Sequence, residues 1–261
     1  MSAAPAVAGA TGSAGVLRFD TPAGAPLAFE PVQLVVAGWT GRDRAAIEHY
    51  IEELGRIGMP RPSAVPLYYR LGRSLLTQAD AIEALGTASS GEAEPVLLRQ
   101  AGRWWLTVGS DHTDRAAEAY SVAASKQMCA KPLARQAWPW DEVAERADAL
   151  ELSSEILEVG EAPVSANRAG ADASGDGERW VSYQRGHLSA ITSLMDIVRG
   201  LPADVPVADS LVLFCGTLGA IPDAAGTGVR PAAAMRISLA DPQSGRRIVH
   251  RYTAAPLPMV A

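Results

Sequence analysis

The chain has 261 residues, 48% of them hydrophobic and 20% charged, the usage of an ordinary globular protein with enough apolar material for a large core. Its net charge of -6 offers no basic surface for a phosphate backbone, which sets nucleic acid aside as a partner. The two cysteines, Cys129 and Cys215, lack CxxC or CxxH spacing, so a disulfide scaffold and a structural zinc site are both excluded, and a reducing cytoplasm fits.

Residues 1–15 are small and flexible in composition, with neither a basic n-region nor an apolar h-region, so they are set outside the fold. Residues 16–261 read as one domain. No apolar run reaches the roughly 18 residues needed to span a bilayer, and a soluble, cytoplasmic protein is expected.

Leu17–Phe19 and Pro26–Glu30 read as short strands, and Gln33–Ala37 (QLVVA), ended by Gly38, as a buried one. Asp43–Ile57 reads as a helix, with Ala46, Ile47, Tyr50, Ile51 and Leu54 at helical spacing and Asp43 as its cap. Pro66–Arg70 follows as a strand. Glu94–Arg99 and Trp104–Val108 form an expected hairpin around a glycine-containing linker. Helices are expected over Asp114–Cys129 and Trp140–Leu150, then a strand over Leu152–Val159. Gly160–Gly177 is small and polar, as a mobile surface loop inside the domain would be. A strand (Arg179–Gln184), a helix (Leu188–Leu201) and a buried strand (Ser210–Cys215) come next. Strands Ala234–Leu239 and Arg247–Tyr252 close the chain about the turn Asp241–Gly245. The class is a strand-rich α+β fold with peripheral helices.

Glu92 and Glu94 are two apart, so in an extended segment both carboxylates share one face. On a buried face, two such groups need a cation or a shared proton, and oxygen ligands suit Mg²⁺, Mn²⁺ or Ca²⁺. On an exposed face they are a solvated strand edge. GSDHTDR (Gly109–Arg115) follows the second hairpin strand, and the hairpin brings Asp111 towards the Glu pair; Asp111 or Thr113 can equally cap the next helix. Lys126 reads by default as a surface lysine. His49 and Glu52 share a helix face, as an acid/base dyad or as part of a charged surface. Gly216 and Thr217 follow a buried strand, where they end it or hold a ligand carboxylate.

These segments come in an order that resembles the fumarylacetoacetate hydrolase superfamily, nearest to a bacterial branch of unknown function, from about Gln33 to the C-terminus. VVAG (Val35–Gly38) and the helix after it are similar to that family's glycine-ended strand and lid helix, and LYYR (Leu67–Arg70) to its Phe-Lys-Pro strand. Glu92-Ala93-Glu94 followed by PVLL is similar to its ExE strand, and Ser110–Arg115 to its Asn-Asp-x-Ser-Ala-Arg signature. Lys126, Gln184 and Cys215–Leu218 fall where that family has a lysine, a glutamine and a Gly-Thr-Pro stretch.

The resemblance implies a mixed β-roll, a homodimer, and a metal held by Glu92, Glu94 and Asp111. It implies that Arg115 braces the site, Lys126 neutralises substrate charge, and Thr217, Gly216 and Gln184 hold a small carboxylic acid. Substrates of that family are mostly 2-oxo or 1,3-dicarbonyl acids; a chelated Mg²⁺ or Mn²⁺ polarises their carbonyl and stabilises an enolate. The chain departs from the pattern at Ser90-Gly91, where a histidine is usual, at Arg44, which stands in place of the lid histidine, and at Gly-Thr-Leu. His49 and Glu52 are the dyad candidates from a shifted position.

The leading expectation is therefore a metal-dependent hydrolase or lyase of a small oxo-acid. One alternative is metal-dependent hydrolysis of an amide, lactam or ester, with His49 or His112 as base. The other is a non-catalytic small-molecule binding protein on the same fold.

Overall fold

The computed structural model describes residues 15–56, 61–159 and 178–260. The chain enters through the antiparallel pair β1 (Leu17–Phe19) and β2 (Leu27–Phe29), then runs through β3 (Gln33–Gly38), α1 (Arg44–Arg56) and β4 (Leu67–Leu71). Short strands β5 (Leu76–Thr77) and β7 (Ser89–Ser90) flank β6 (Ala81–Leu85). The hairpin β8 (Ala93–Gln100) and β9 (Arg103–Ser110) leads to β10 (Thr113–Asp114), α2 (Arg115–Glu118) and α3 (Val122–Gln127). After β11 (Lys131–Pro132) and β12 (Trp138–Pro139) come β13 (Glu151–Val159), β14 (Glu178–His187) and α4 (Leu194–Arg199). Strands β15 (Leu211–Phe214), β16 (Ala234–Asp241) and β17 (Arg246–Leu257) complete the chain. No helix among the described residues is long and apolar enough to cross a membrane.

Two mixed sheets carry the core: β12-β9-β8-β15-β3-β4 and β14-β13-β16-β17-β6. Strands β3, β8 and β15 are central and buried on both faces, which is why they read as continuous apolar runs rather than alternating ones. Val35, Leu97 and Leu213 face Leu152, Ile156, Ile237 and Ile248 of the second sheet. Leu34, Val36, Val96, Leu98 and Phe214 point the other way, against Phe19, Phe29 and Leu133. Truncating one of these fully buried leucines to alanine is worth about 2–5 kcal/mol.

The hairpin turns through Ala101 and Gly102, both at positive φ (50° and 74°), the two-residue geometry whose twist matches its strands. Strand β15 pairs antiparallel with β8 and parallel with β3, so the ends of β15 and β3 meet the start of β8. That junction is where the candidate residues gather.

Several helical expectations are corrected. Asp114–Cys129 is two short helices, because Asp114 and Ser121 each cap a new start, accepting from the Ala117 and Ala124 amides. Trp140–Leu150 forms 3₁₀ turns over Trp140–Glu142 and Ala144–Ala149, with non-helical backbone at Arg146. Leu188–Leu201 divides into a 3₁₀ turn, Leu188–Ala190, and α4, which Ser193 caps. Strand β6 has no counterpart among the expected elements; its Ala, Glu and Leu residues favour helices, but it joins the sheet in parallel with β17. The expected loop Gly160–Gly177 lies outside the described residues.

Candidate metal centre

The hairpin register explains how distant carboxylates meet. Ala93 pairs with Ser110, and the Asp111 amide donates to the Glu92 carbonyl at 2.9 Å, so Asp111 stands opposite Glu92 as the ladder ends. Glu94 lies opposite Gly109, whose own Cβ would come within 2.7 Å of the Phe214 ring. The strand period puts Glu94 on the same face as Glu92. Oxygens from Glu92, Glu94 and Asp111 all lie within 4.8 Å of one another.

Each carboxylate has a different neutraliser. Asp111 is fully buried and receives hydrogen bonds from two lysines: Lys126 Nζ on Oδ2, and Lys131 Nζ at 3.1 Å from Oδ1. Burial pushes the Asp111 carboxyl up, but the Lys126 and then Lys131 charges overcome it and hold it well below the usual carboxylate range. Glu92 lies 3.6 Å from the Arg115 guanidinium, which also donates to Glu118 at 2.8 Å and to Ser90 Oγ at 2.8 Å. For Glu94 the donor is the Gly216 amide, at 2.8 Å. Burial, then the charges of Asp111 and Glu92, raise the Glu94 carboxyl well above its ordinary range, against the pull of Lys126.

This donor set fits a hard divalent cation. Three carboxylate oxygens converge, the fixed cations serve Asp111 and Glu92, and the shortfall of positive charge falls on Glu94. A cavity of about 480 Å³ opens onto the cluster, lined by Glu92, Glu94, Lys126, Arg115, Glu118 and Thr217 among others. Asp111 sits behind this surface.

The remaining expected residues divide. Thr217 lines the cavity, and its hydroxyl donates to the Ala93 carbonyl at 2.7 Å while accepting from Gln184 Nε2 at 2.6 Å. Gln184 is committed on all sides: its Oε1 accepts from the Ala93 amide and from Ser154, and its Nε2 also donates to the Leu218 carbonyl. It therefore positions β8 and Thr217 rather than facing a ligand. Gly216 likewise aims its amide at Glu94, and a Cβ there would fall 1.7 Å from Thr40 Oγ1. His49 and Glu52 are exposed on α1 and do not line the carboxylate cavity, because Ile51 takes the core-facing side of the helix. His112 is buried, with Nδ1 2.9 Å from Tyr252 Oη and Nε2 2.9 Å from Ser89 Oγ. Burial, then the Lys131 and Arg115 charges, push its imidazole down to about 3, so it is a neutral structural link.

Two residues of the centre escaped the sequence reading. Lys131 is fully buried, and its Nζ also donates to the His112 and Lys126 carbonyls at 2.5 and 2.6 Å. Glu118 lines the cavity; its spacing of three from Arg115 on a helix was the available signal.

No curated protein matches the chain in sequence. Its fold is shared by several solved structures. A candidate fumarylpyruvate hydrolase from Burkholderia cenocepacia is 13% identical with a TM-score of 0.58, covering 99% of this chain and 98% of that one. A fumarylpyruvate hydrolase from Pseudomonas aeruginosa, solved with Mn²⁺ and pyruvate, is 14% identical with a TM-score of 0.57, covering 93% of this chain and 97% of that one. A 2-keto-3-deoxyarabinonate dehydratase is 12% identical with a TM-score of 0.55, covering 90% and 77%. A family model, "Protein of unknown function (DUF2848)", matches residues 37–173 and 167–252. The chain belongs to this DUF2848 family and is built on the fold of the fumarylacetoacetate hydrolase superfamily.

Proposed function

We propose that the protein is a divalent-metal-dependent hydrolase or C–C lyase of a small 2-oxo or 1,3-dicarbonyl carboxylic acid. The observation that carries this is the convergence of Glu92, Glu94 and Asp111 at the wall of a cavity that also presents Lys126 and Arg115. The Mn²⁺ and pyruvate bound by the Pseudomonas neighbour of the same fold support it. Held by the three carboxylates, Mg²⁺ or Mn²⁺ would supply Lewis acidity to the oxygens of the 2-oxo acid.

The chain's own groups do the rest. Lys126 Nζ, anchored on Asp111 and 5.7 Å from the Tyr69 ring centre, puts a permanent positive charge at the cavity wall, where a substrate carboxylate comes to rest. The Arg115 guanidinium fixes Glu92 on one side and Glu118 on the other. Glu118 is the cavity carboxylate outside the metal cluster, and it takes the proton-transfer role that the exposed His49 and Glu52 do not reach. In hydrolysis of a 2,4-dioxo acid, Glu118 accepts a proton as water adds to the C4 carbonyl. The C3–C4 bond then breaks, its electron pair stays on C3, and C3 takes that proton, giving one carboxylic acid and one 2-oxo acid.

Turnover of acylpyruvates by the Mn²⁺-loaded protein, with and without EDTA, tests this reading. Loss of activity on chelation is expected, together with a loss of at least about 100-fold in kcat for Glu118→Gln. Turnover indifferent to EDTA would overturn it.

A further inference from the structure

A second cavity, of about 390 Å³, adjoins the carboxylate chamber and shares Trp39, Tyr69, Glu118, Ala119 and Val122 with it. Beyond that shared wall it is lined by Ile51, Leu67, Pro62 and Tyr120, and by the polar Arg61, Ser63 and Ser121. Aromatic and aliphatic surface dominates. Among the described residues, the charged groups here are engaged elsewhere: Arg61 pairs with Glu48, and Glu118 with Arg115. A second anionic group on a substrate would meet the Glu118 carboxylate at the shared wall, while Arg61 is exposed and paired with Glu48.

The wall between the two cavities is held in a demanding conformation. Trp39 has φ of +59°, which a bulky L residue adopts only when its surroundings impose it. It follows Gly38 at the end of β3, and its indole hydrogen-bonds the Tyr69 hydroxyl, tying together the two aromatic faces common to both cavities. Glu118 stands at the same junction, between the metal-facing half of the space and the apolar half.

We infer that the pouch takes an apolar, aromatic-sized group on the far side of the scissile bond, and that Trp39 sets this specificity. The substrate class becomes 2,4-dioxo acids carrying an aryl group at C4, rather than those ending in a second carboxylate. This rests on the metal-dependent reading above, since the oxo-acid head fixes which end enters the pouch. A ring of that size fills part of a volume typical of small-ligand sites.

Calorimetric titration of the Mn²⁺-loaded Glu118→Gln protein, whose turnover is slowed, with benzoylpyruvate, acetylpyruvate and fumarylpyruvate decides the matter. Benzoylpyruvate is expected to bind on the order of 30-fold more tightly than acetylpyruvate, the value of burying one aromatic ring. Trp39→Gly, which suits the positive φ, and Ser63→Trp, which fills the pouch from an exposed position, should each reduce that ratio towards one. Mn²⁺-dependent binding of all three acids with equal affinity would overturn the pouch and leave the metal reading standing. No binding, or binding indifferent to Mn²⁺, would overturn both.

Discussion

Glu94→Gln separates the metal's role from that of the scaffold. The substitution keeps the shape and an acceptor for the Gly216 amide at 2.8 Å, and removes only the charge. Burial raises the Glu94 carboxyl well above its ordinary range, so the metal-free fold favours the protonated form, which glutamine copies. The metal-free variant should therefore melt close to the wild type. The sign is definite: a raised native pKa means the unfolded chain releases this proton first. Wild-type stability then falls as pH rises from the ordinary glutamate range to the raised value, and the variant lacks that slope.

With Mn²⁺ the two proteins should part. Ligand oxygens no more than 4.8 Å apart repel by at least about 3.5 kcal/mol per charged pair at an effective dielectric near 20, and an ion relieves this only where the charge exists. Loss of one ligand charge then weakens Mn²⁺ by more than about 100-fold. At Mn²⁺ about 100 times the wild-type Kd, saturation stabilises by about 2.7 kcal/mol, a rise of roughly 5–10 °C in Tm for a chain of this size. Differential scanning fluorimetry should show that rise in the wild type and less than about 2 °C in Glu94→Gln. Equal shifts in both proteins would refute a site centred on these carboxylates.

Gly216→Ala should cost at least about 2 kcal/mol, since φ is +91° and the new Cβ lies 1.7 Å from Thr40 Oγ1; the Mn²⁺ shift should be lost with it, and Thr40→Ala should restore part of the stability. Lys131→Met leaves the Asp111 carboxylate with Lys126 alone and frees two buried carbonyls, so urea unfolding should report a loss of about 3–5 kcal/mol; a loss under about 1 kcal/mol would refute the packing role given to Lys131. Far from the site, Asp241 accepts from Arg146 at 2.8 Å and from Ser244 Oγ at 2.6 Å, and the Arg146 hydrogen bonds hold its carboxyl well below the usual range. A depressed native pKa contributes stability above the unfolded value and loses it as pH falls. Asp241→Asn should therefore cost about 1–2 kcal/mol at neutral pH, and progressively less below about pH 4.

What the sequence revealed of the site depended on period and register. Glu92 and Glu94 were legible because a strand repeats every two residues, and Asp111 because a short turn fixes which residues face each other across the hairpin. Lys131 was not legible. Its role comes from β11 lying parallel to β5, a long-range pairing that leaves no local pattern around Lys131-Pro132. Gln184 and Gly216 lay at the centre, but only hydrogen-bond directions show that they brace it. His49 and Glu52 shared a helix face as expected. That face was the solvent side, since Ile51 claims the core. Of the fold, central strands announced themselves by apolar runs, while β6 carried helix-forming residues that its parallel pairing with β17 overrode.

The arrangement of charge argues for interdependent binding of ion and substrate. Asp111 has two lysines and Glu92 shares Arg115 with Glu118, whereas Glu94 has a backbone dipole where its neighbours have a cation. A divalent ion brings two charges to a place that lacks one. The excess then falls to an anionic ligand, beside a lysine that Asp111 already holds in place. An oxo-acid should therefore tighten Mn²⁺ binding by the same factor by which Mn²⁺ tightens the acid, because the coupling is one free energy seen from two sides. Glu94→Gln removes the charge that the ion answers. It should weaken Mn²⁺ first, and weaken the acid only through the loss of Mn²⁺, so that at saturating Mn²⁺ acid affinity returns towards the wild-type value.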